Sequence, residues 1–539
     1  MKRYLSAFFG AWLFFVPALT AQMSSDRVPE RAKDAPSPTK LAQTITAQDM
    51  KRHLSTIAST EFEGRETGTD GQKKAAEYIA RYFQKLGIPA IGNDGNYFQQ
   101  INFFAENWEN IDLEMDGTPL RHLWDYYAMP ADNESRDWKD IDEVTFLGYG
   151  IDDPAYSDYK GTDVAGKAIL IYPDEPKDRK GNYLVSGTSN PSDWFENLEK
   201  KLQVAKQHGV EVVFIIDNDF KQNVSNARRE ILNRRLAMVE SLPEDRNLAN
   251  SVFLSSEVAK KMISGEFKKV VKARKRIQKK GKLRSVSIPV NLRLRQEKSV
   301  RSLVGENVLG YIEGTDPELK DELLVITAHY DHLGKRGEDI YFGADDNGSG
   351  TSTVLEVAQA FAQAKSEGWG PRRSVLIMLV SGEEKGLLGS QYYVEYPIFP
   401  LENTIANVNV DMVGRVDPKH EEKGNSDYIY VIGSNRLSTE LHQINEDANA
   451  RYTQLELDYT YNAEDDPNRY YYRSDHYNFA ERGIPAIFYF NGTHEDYHRT
   501  SDTVDKINFE KMEKIGRLVF YTSWELANRD DRIKVDVRP

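Results

Sequence analysis

The sequence predicts an α/β protein with a mixed, mainly parallel sheet flanked by helices. Three short apolar runs, at residues 323–329, 374–380 and 406–410, contain no Asp, Glu, Lys or Arg, which is typical of strands buried on both faces. Stretches with the apolar spacing of helices separate these runs, and strands that alternate with helices favour a parallel sheet. In such sheets, functional sites form at the carboxyl ends of the strands. We therefore expect the chemistry of this chain to lie where the apolar runs end.

The same patterns predict the other elements around these strands. Helical spacing indicates helices at 351–364, 438–450 and 509–528. A further short helix is expected to end near Tyr392. Further apolar runs at 428–432 and 484–490 predict two more strands. Nearer the N-terminus, residues 46–87 are also expected to be mainly helical.

The middle of the chain has a different texture. Apolar runs at 144–151, 168–172 and 210–216 are separated by turn residues and by one helical stretch at 192–207, and they carry no paired catalytic pattern. We interpret this segment as an inserted, smaller α/β domain. The predicted organisation is a signal peptide at 1–21, a disordered tether at 22–44, a main domain at 45–125 and 296–539, and the insert at 126–295.

The first residues have the order of a secretory signal. Lys2 and Arg3 precede an apolar run from Tyr4 to Leu19, and small residues follow it. A membrane anchor is the alternative, but the run is short for a full span. The chain has no Cys, which excludes both disulfides and a lipid anchor on Cys. We expect an exported protein, periplasmic or extracellular, with no stable membrane span after signal removal.

Charge narrows the range of partners. The net charge of −14 disfavours nucleic acid as a partner of the whole chain. Residues 260–284 run against this balance, because they contain twelve Lys and Arg residues and only one acid, Glu266. A solvated helix face is the expected explanation, and binding of an anionic polymer or a membrane surface is the alternative. The sequence does not indicate an oligomeric state.

Reactive side chains follow the predicted strands. The first strand ends at His329 and is followed by Asp331. The second and third are followed by Glu383, Glu384 and Asp411, and the last is followed by His494, Glu495, Asp496 and His498, while the loop 343–350 adds two Asp residues. Imidazole and carboxylate groups without thiolate suit Zn²⁺, with Mn²⁺ or Co²⁺ as replacements. Two His and three carboxylates exceed the needs of one catalytic zinc, but they suit two ions that share one carboxylate.

Five motifs resemble those of the zinc aminopeptidases of family M28. They are, in order, AHYDH, GADDNGSG, SGEE, NVDMVG and DYHRTSDT. Residues 61–83 also resemble the opening segment of that fold, and residues 148–151 and 163–167 resemble a protease-associated domain, which is a weaker match. The resemblance covers nearly all of the chain after the predicted signal. It implies a zinc-exopeptidase fold, two Zn²⁺ per chain and peptide substrates.

The resemblance also implies a complete set of metal ligands. His329 and Asp411 would hold one zinc, and Glu384 and His498 would hold the other. Asp346, the fourth residue of the GADD sequence, would bridge the two ions.

Four further residues receive roles from the resemblance. Glu383 would be the general base, which takes a proton from the attacking water and passes it to the leaving amine. Asp331 would orient the imidazole of His329. Tyr497 would polarise the scissile carbonyl, with simple packing as the alternative. Asp475 is expected to support the site or to line the substrate pocket.

Some neighbours of the ligands are not assigned to metal. Asp345 precedes the bridging residue, but its position varies in the family pattern. His332 and His494 are extra histidines near the site and are likewise left out of the ligand set. The family pattern also implies a cis peptide bond between Asp346 and Asn347.

The leading functional hypothesis is an exported di-zinc metallopeptidase that removes N-terminal residues from peptides. A glutaminyl cyclase on the same fold is one alternative, although the intact loop at 346–350 argues against it. Carboxypeptidase action within the family is a second alternative, because the core does not reveal which peptide end is bound. A non-catalytic binding protein is the third, and it is disfavoured because no ligand and no base is missing.

Overall fold

The apolar runs of the sequence form the centre of one continuous sheet. The computed structural model of the protein describes residues 37–195, 197–232, 235–241 and 247–537. The predicted signal peptide and most of the predicted tether lie outside the described residues. The strands are β1 (Phe98–Met115), β2 (Thr118–Pro119), β3 (Tyr126–Tyr127), β4 (Arg136–Phe146), β5 (Ala168–Ile171), β6 (Val212–Asp217), β7 (Arg235–Met238), β8 (Asn250–Ser255), β9 (Val286–Ile312), β10 (Leu323–His329), β11 (Gly334–Arg336), β12 (Asp339–Tyr341), β13 (Ser374–Val380), β14 (Thr404–Val410), β15 (Tyr428–Ile432), β16 (Glu456–Asp458) and β17 (Ala486–Phe490).

Helices pack against the sheet. They are α1 (Pro38–Ala42), α2 (Ala47–Ile57), α3 (Asp70–Lys85), α4 (Leu198–Gln207), α5 (Phe220–Leu232), α6 (Ser256–Met262), α7 (Phe267–Lys280), α8 (Gly350–Ser366), α9 (Leu388–Glu395), α10 (Pro418–Glu422), α11 (Thr439–Ala448), α12 (His476–Glu481) and α13 (Phe509–Asn528). None of the helices in the described ranges is long and apolar enough to cross a membrane.

The strand order explains why the predicted strand ends meet. In the C-terminal part the order is β16-β15-β17-β14-β10-β13-β9. Strands β17, β14, β10 and β13 are parallel to their neighbours within this group, whereas β15 and β9 pair with it antiparallel. The carboxyl ends of the four parallel strands therefore lie side by side. The predicted fold class, a mixed and mainly parallel sheet flanked by helices, is confirmed.

Both faces of the central strands are buried, as their uncharged sequences require. Along β10, Leu324, Ile326 and Ala328 join the large core that packs against α8 and α13. Leu323 and Val325, on the other face, join a second cluster with Tyr393 and Phe479 from α9 and α12. This two-sided packing holds the strand ends in fixed positions.

Two long strands join the C-terminal part to the middle of the chain. β1 and β9 pair antiparallel from Phe98 opposite Val308 to Met115 opposite Leu292, with one irregularity between Trp108 and Asn110. Beyond this ribbon, the order continues as β9-β4-β5-β6-β8-β3, with β4, β5, β6 and β8 parallel to one another. The hydrogen bonding of the sheet is therefore continuous between the two parts.

The middle segment has hydrophobic cores of its own. One cluster combines Val144, Leu170 and Phe214 with residues of α6 and α7. It also takes in Leu113 and Met115 of β1, which precede the predicted insert. The boundaries at 126 and 295 thus remain a prediction, because this core includes residues before 126 and strand β9 runs across 295.

Two predicted elements differ in extent. Residues 38–42, assigned to the disordered tether, form α1, so the tether prediction is wrong for this part. The reason is that Leu41 and Ala42 are buried in the main core. The helix expected at 192–207 begins only at Leu198, where the side chain of Asn197 accepts the backbone N–H of Lys200.

Candidate metal centre

The ends of four parallel strands bring together side chains that are far apart in sequence. His329 is the last residue of β10, and Asp411 directly follows β14. Glu383 and Glu384 form the turn after β13, and His498 lies in the segment after β17. The loop 344–349 before α8 adds Asp346. All six lie in one cluster, five of them the expected ligands and the sixth the expected base.

One half of the cluster contains His329, Asp411 and one oxygen of Asp346. His329 Nε2 lies 3.3 Å from Asp411 Oδ1 and 3.4 Å from Asp346 Oδ1. The other ring nitrogen, Nδ1, lies 3.1 Å from the backbone carbonyl of Asp331. An Nδ1–H donated to that carbonyl leaves the Nε2 lone pair directed at the two carboxylates, which is the tautomer a metal requires.

The other half contains Glu384, His498 and the second oxygen of Asp346. His498 Nε2 lies 3.0 Å from Asp346 Oδ2 and 3.3 Å from Glu384 Oε1. Each oxygen of Asp346 therefore faces its own His and carboxylate pair. A bridging carboxylate between two ions needs this division.

His332 also lies in this second half. Its Nδ1 is 2.8 Å from Glu384 Oε1 and 3.8 Å from Asp346 Oδ2, and the ring is fully buried. His332, Asp346 and Glu384 together have donor atoms within 4.8 Å of one another. The sequence left His332 out because its approach to Glu384 depends on the fold rather than on spacing.

Glu383 lies at the open side of the first half. Its Oε2 is 3.8 Å from His329 Nε2, and 12% of its side chain is exposed, whereas the side chains of His329 and Asp331 are nearly inaccessible. Glu383, His329 and Asp411 also share donor atoms within 4.8 Å. The carboxylate is thus both close to the cluster and open to the adjoining cleft.

Asp331 connects the strand end to the turn that carries Glu383. Its Oδ1 accepts the backbone N–H of Glu383 at 3.3 Å and lies 3.7 Å from His329 Nδ1. Its Oδ2 accepts the hydroxyl of Thr67 at 2.8 Å. Asp331 therefore contacts the imidazole through its backbone carbonyl and holds the turn through its carboxylate.

Asp475 and Tyr497 lie on different sides of the cluster. Asp475 is fully buried and accepts the hydroxyl of Ser390 at 2.5 Å, so its position is that of a support rather than of a surface open to a ligand. Tyr497 stacks on the imidazole of His498 at 3.8 Å between ring centroids and accepts a hydrogen bond from Arg473 at 3.4 Å. Tyr497 lines the cleft.

The loop that carries Asp346 is fixed by hydrogen bonds on both sides. Asp345 accepts the backbone N–H of Gly414 at 2.7 Å and lies 3.2 Å from His494 Nε2, so its carboxylate is used away from the cluster. Asn347 donates to the carbonyl of Val410 at 3.0 Å. The peptide bond between Asp346 and Asn347 is cis, as the family pattern implies.

The ionisation of the cluster suits a cation. Burial alone would lower the pKa of His329, but Asp411 and Glu383 raise it well above its usual range. Burial would raise the pKa of Asp346, yet His329 and His498 hold it well below its usual range. In the same way His332 and His498 lower the pKa of Glu384 to about 2. Asp346 and Glu384 are thus ionised, and a metal that binds here competes with protons on the imidazoles.

The donor atoms fit zinc. Two ligands of one tetrahedral zinc lie about 3.3 Å apart, because each bond is about 2.0–2.1 Å long. The separations from His329 Nε2 to Asp411 and Asp346 match this value. Among the described residues, His329 Nε2 and Asp411 Oδ1 are buried without a hydrogen-bond partner. Buried polar atoms seldom stay unpaired, so an ion between them accounts for the arrangement.

A cleft with a volume of about 1180 Å³ opens onto the cluster. Glu383, Glu384, Tyr497 and His498 line the cleft, together with Leu333, Lys335, Arg336 and Tyr341. The middle segment of the chain contributes Leu232 and Leu236, and β1 contributes Asn107.

Arg65 is the residue near the site that the sequence did not single out. Its guanidinium is completely buried and donates to four backbone carbonyls, those of Ile57, Tyr330, Phe342 and Gly343, at 2.7–2.9 Å. Burial lowers its pKa to about 10, against the attraction of nearby carboxylates led by Asp331. In the sequence, Arg65 is one of several charged residues in a Gly-rich turn, and only the preceding Glu63 and Gly64 could have drawn attention to a structural role.

Fold and site together define the class. The chain is an α/β protein with a His and carboxylate centre, suited to two metal ions, at the carboxyl ends of its parallel strands. Residues 307–523 match the model of Peptidase family M28, and they contain all six residues of the cluster. The similarity to this family thus covers the C-terminal part of the chain.

Two relatives and one solved structure are also similar to this chain. The chain is 27% identical over 244 residues to "Aminopeptidase YwaD" of Bacillus subtilis (strain 168), which covers 44% of this chain and 48% of the relative. It is 29% identical over 218 residues to "Probable leucine aminopeptidase" of Trichophyton verrucosum (strain HKI 0517), and this match covers 39% of this chain and 56% of the relative. The matches thus span about half the length of these relatives.

The solved structure "Aminopeptidase from Aneurinibacillus sp. strain AM-1" is similar over 93% of this chain and 98% of that one. The TM-score is 0.54 and the sequence identity is 18%, so the similarity is one of fold.

Replacing Arg65 should destabilise the protein and weaken its metal centre together. Arg65→Met leaves four buried carbonyls without their donor, and we expect a loss of at least about 3 kcal/mol in the free energy of unfolding. Urea unfolding measures this loss, and the zinc content of the purified variant should fall in parallel. Arg81→Met, which removes an exposed Arg, should change stability by no more than about 0.5 kcal/mol. Equal effects of the two substitutions would contradict a special role for Arg65.

Proposed function

We propose that the protein is an exported di-zinc aminopeptidase that hydrolyses N-terminal residues from peptides. The observation that carries the proposal is the orientation of Asp346, because each of its oxygens faces a separate His and carboxylate pair. The M28 match and the aminopeptidase names of the relatives support the reaction class.

Five residues would hold the two zinc ions. His329 and Asp411 would hold one, Glu384 and His498 would hold the other, and Asp346 would bridge them. When bound, the ions would supply Lewis acidity, which stabilises negative charge on the scissile carbonyl and lowers the pKa of the attacking water.

Glu383 would move the proton. Burial, with Glu384 and Asp411 nearby, raises its pKa well above the usual range of a carboxyl, while His329 opposes that rise. A base with a raised pKa can take a proton from water near neutral pH and return it to the leaving amine. The partial exposure of Glu383 to the cleft gives it access to both.

Other residues would position the reactants. Asp331 would orient His329 and fix the turn of Glu383 through the contacts that join all three. Tyr497 would polarise the substrate carbonyl from the cleft wall, where its hydroxyl is held by Arg473. Asp475, which is buried and accepts a hydrogen bond from Ser390, would support the site from the protein interior.

Export remains part of the proposal. It is supported by the Lys2-Arg3 and apolar N-terminal pattern. The same reasoning places the protein in the periplasm or outside the cell. The inserted protease-associated-like domain at 126–295 is also proposed, on the strength of its separate cores.

A substrate panel tests the function directly. The zinc-loaded protein should hydrolyse aminoacyl-anilides and dipeptides with a free amino end, and N-acetylation should abolish turnover, whereas C-terminal amidation should not. Inactivity across the panel would overturn the proposal. Release of C-terminal residues from N-acetylated peptides would instead indicate a carboxypeptidase, and cyclisation of a Gln-initiated peptide would indicate a glutaminyl cyclase.

Glu383→Gln should separate metal binding from turnover. The substitution keeps the shape of the side chain but removes the proton acceptor, so we expect kcat to fall by at least about 100-fold with the zinc content unchanged. Glu402→Gln, at an exposed position outside the cluster, is the matched control and should keep full activity. If the Glu383 variant kept its turnover, another group would have to be the base.

Zinc content should identify the ligands. We expect Asp346→Ala to lose both ions, because it removes the bridge, and His498→Ala to lose one. His332→Ala should keep both, because the proposal places His332 beside Glu384 without a bond to metal. Elemental analysis after dialysis against zinc measures each outcome. Loss of one ion in the His332 variant together with full retention in the His498 variant would show that the ligand set is wrong.

A further inference from the structure

A strongly basic surface lies far along the chain from the metal centre. It consists of the twelve Lys and Arg side chains between Lys260 and Arg284, which we call the basic face, and all twelve are exposed. They belong mainly to α6 and α7 and to the residues that follow α7. The chain as a whole carries a net charge of −14, so this concentration of positive charge opposes the overall balance.

Helix α7 shows how the face is built. Val270, Ala273 and Ile277 are buried and anchor one side of the helix to the hydrophobic clusters of the middle segment. At 100° per residue, four lysines lie on the side opposite this anchor. They are Lys268, Lys272, Lys275 and Lys279. The four ammonium groups form a stripe about 17 Å long that points away from the core.

Few of the positive charges have a carboxylate partner within the described part of the molecule. Glu266 is the only carboxylate within 4 Å of any of the twelve groups there, and it pairs with Lys269. Lysines at spacings of three and four repel one another along a helix. The four stripe lysines therefore repel one another, which destabilises the fold, and none of them has a carboxylate within 4 Å in the described part of the chain. This arrangement indicates an anionic partner outside the chain.

We propose that the basic face binds the anionic headgroups of a phospholipid membrane surface. Nine of the twelve groups are lysines. A lysine ammonium group acts as a point charge and suits the spread negative charge of a membrane surface, whereas Arg is favoured where one phosphate group is bound by two hydrogen bonds. Phe267, which begins α7, is 52% exposed and places an apolar ring at the edge of the stripe. Exposed aromatic rings beside lysines are typical of helices that lie on a membrane interface.

Docking at this surface would hold the enzyme at a membrane without a spanning segment. The basic face belongs to the middle segment, and the metal centre belongs to the C-terminal part. The proposal does not depend on the peptidase activity, and its test does not measure turnover.

Vesicle co-sedimentation tests the proposal on the full chain. The protein should sediment with vesicles of phosphatidylglycerol and phosphatidylcholine, should not sediment with phosphatidylcholine alone, and should be released by added salt. Replacing the four stripe lysines by Glu should lower the partition coefficient by about tenfold or more. Phe267→Ser should weaken binding less and should leave the salt dependence intact.

A matched variant controls for net charge. Lys40, Lys85, Lys320 and Lys423 are exposed and lie outside the basic face, and replacing these four by Glu makes the same change in charge. This control should sediment with the anionic vesicles about as well as the native chain does. Equal loss in both variants, or no sedimentation of the native chain, would overturn the proposal. So would binding to heparin in solution without binding to vesicles, because the partner would then be an anionic polymer.

Discussion

The buried guanidinium of Arg65 is the contact on which the geometry of the site depends. It binds the carbonyl of Tyr330, which follows β10, and the carbonyls of Phe342 and Gly343, which precede the loop of Asp346. One side chain thus fixes the separation between the strand that ends in His329 and the loop that carries Asp346. Its positive charge also lies near several carboxylates of the site, including Asp346. It therefore moderates the repulsion among acids that are gathered in one place.

Parallel strand packing supplies the rest of the arrangement. Adjacent parallel strands end at the same edge, so the residues after β10, β13, β14 and β17 meet there without any long-range signal in the sequence. Asp331 and Asn347 then tie the turns together, through the N–H of Glu383 and the carbonyl of Val410. The clustered side chains are placed by backbone geometry and held by a second set of polar contacts, an arrangement that metal centres generally require.

Sequence patterns predicted the central strands well and the connecting ribbon poorly. The runs at 323–329 and 374–380 were located to the residue because both of their faces are buried, and burial leaves an uncharged sequence. The sequence did not predict β1 and β9 as long strands. Much of this ribbon is partly exposed on both faces, so charged residues interrupt the apolar pattern of each strand. Motifs identified the clustered residues, but the closeness of His332 to Glu384 and the role of Arg65 are tertiary and have no local pattern.

The continuous ribbon of β1 and β9 has a mechanical consequence. Asn107 of β1 and Leu236 of the adjacent β7 line the cleft, so one wall of it is carried by strands that extend from the sheet of the metal centre. Backbone hydrogen bonds between β1, β7 and β9 connect this wall to the sheet of the metal centre, in addition to any side-chain packing. The irregularity between Trp108 and Asn110 interrupts the ladder next to this wall, and such irregularities bend a strand locally. The width of the cleft is therefore tied to the bending stiffness of a narrow ribbon.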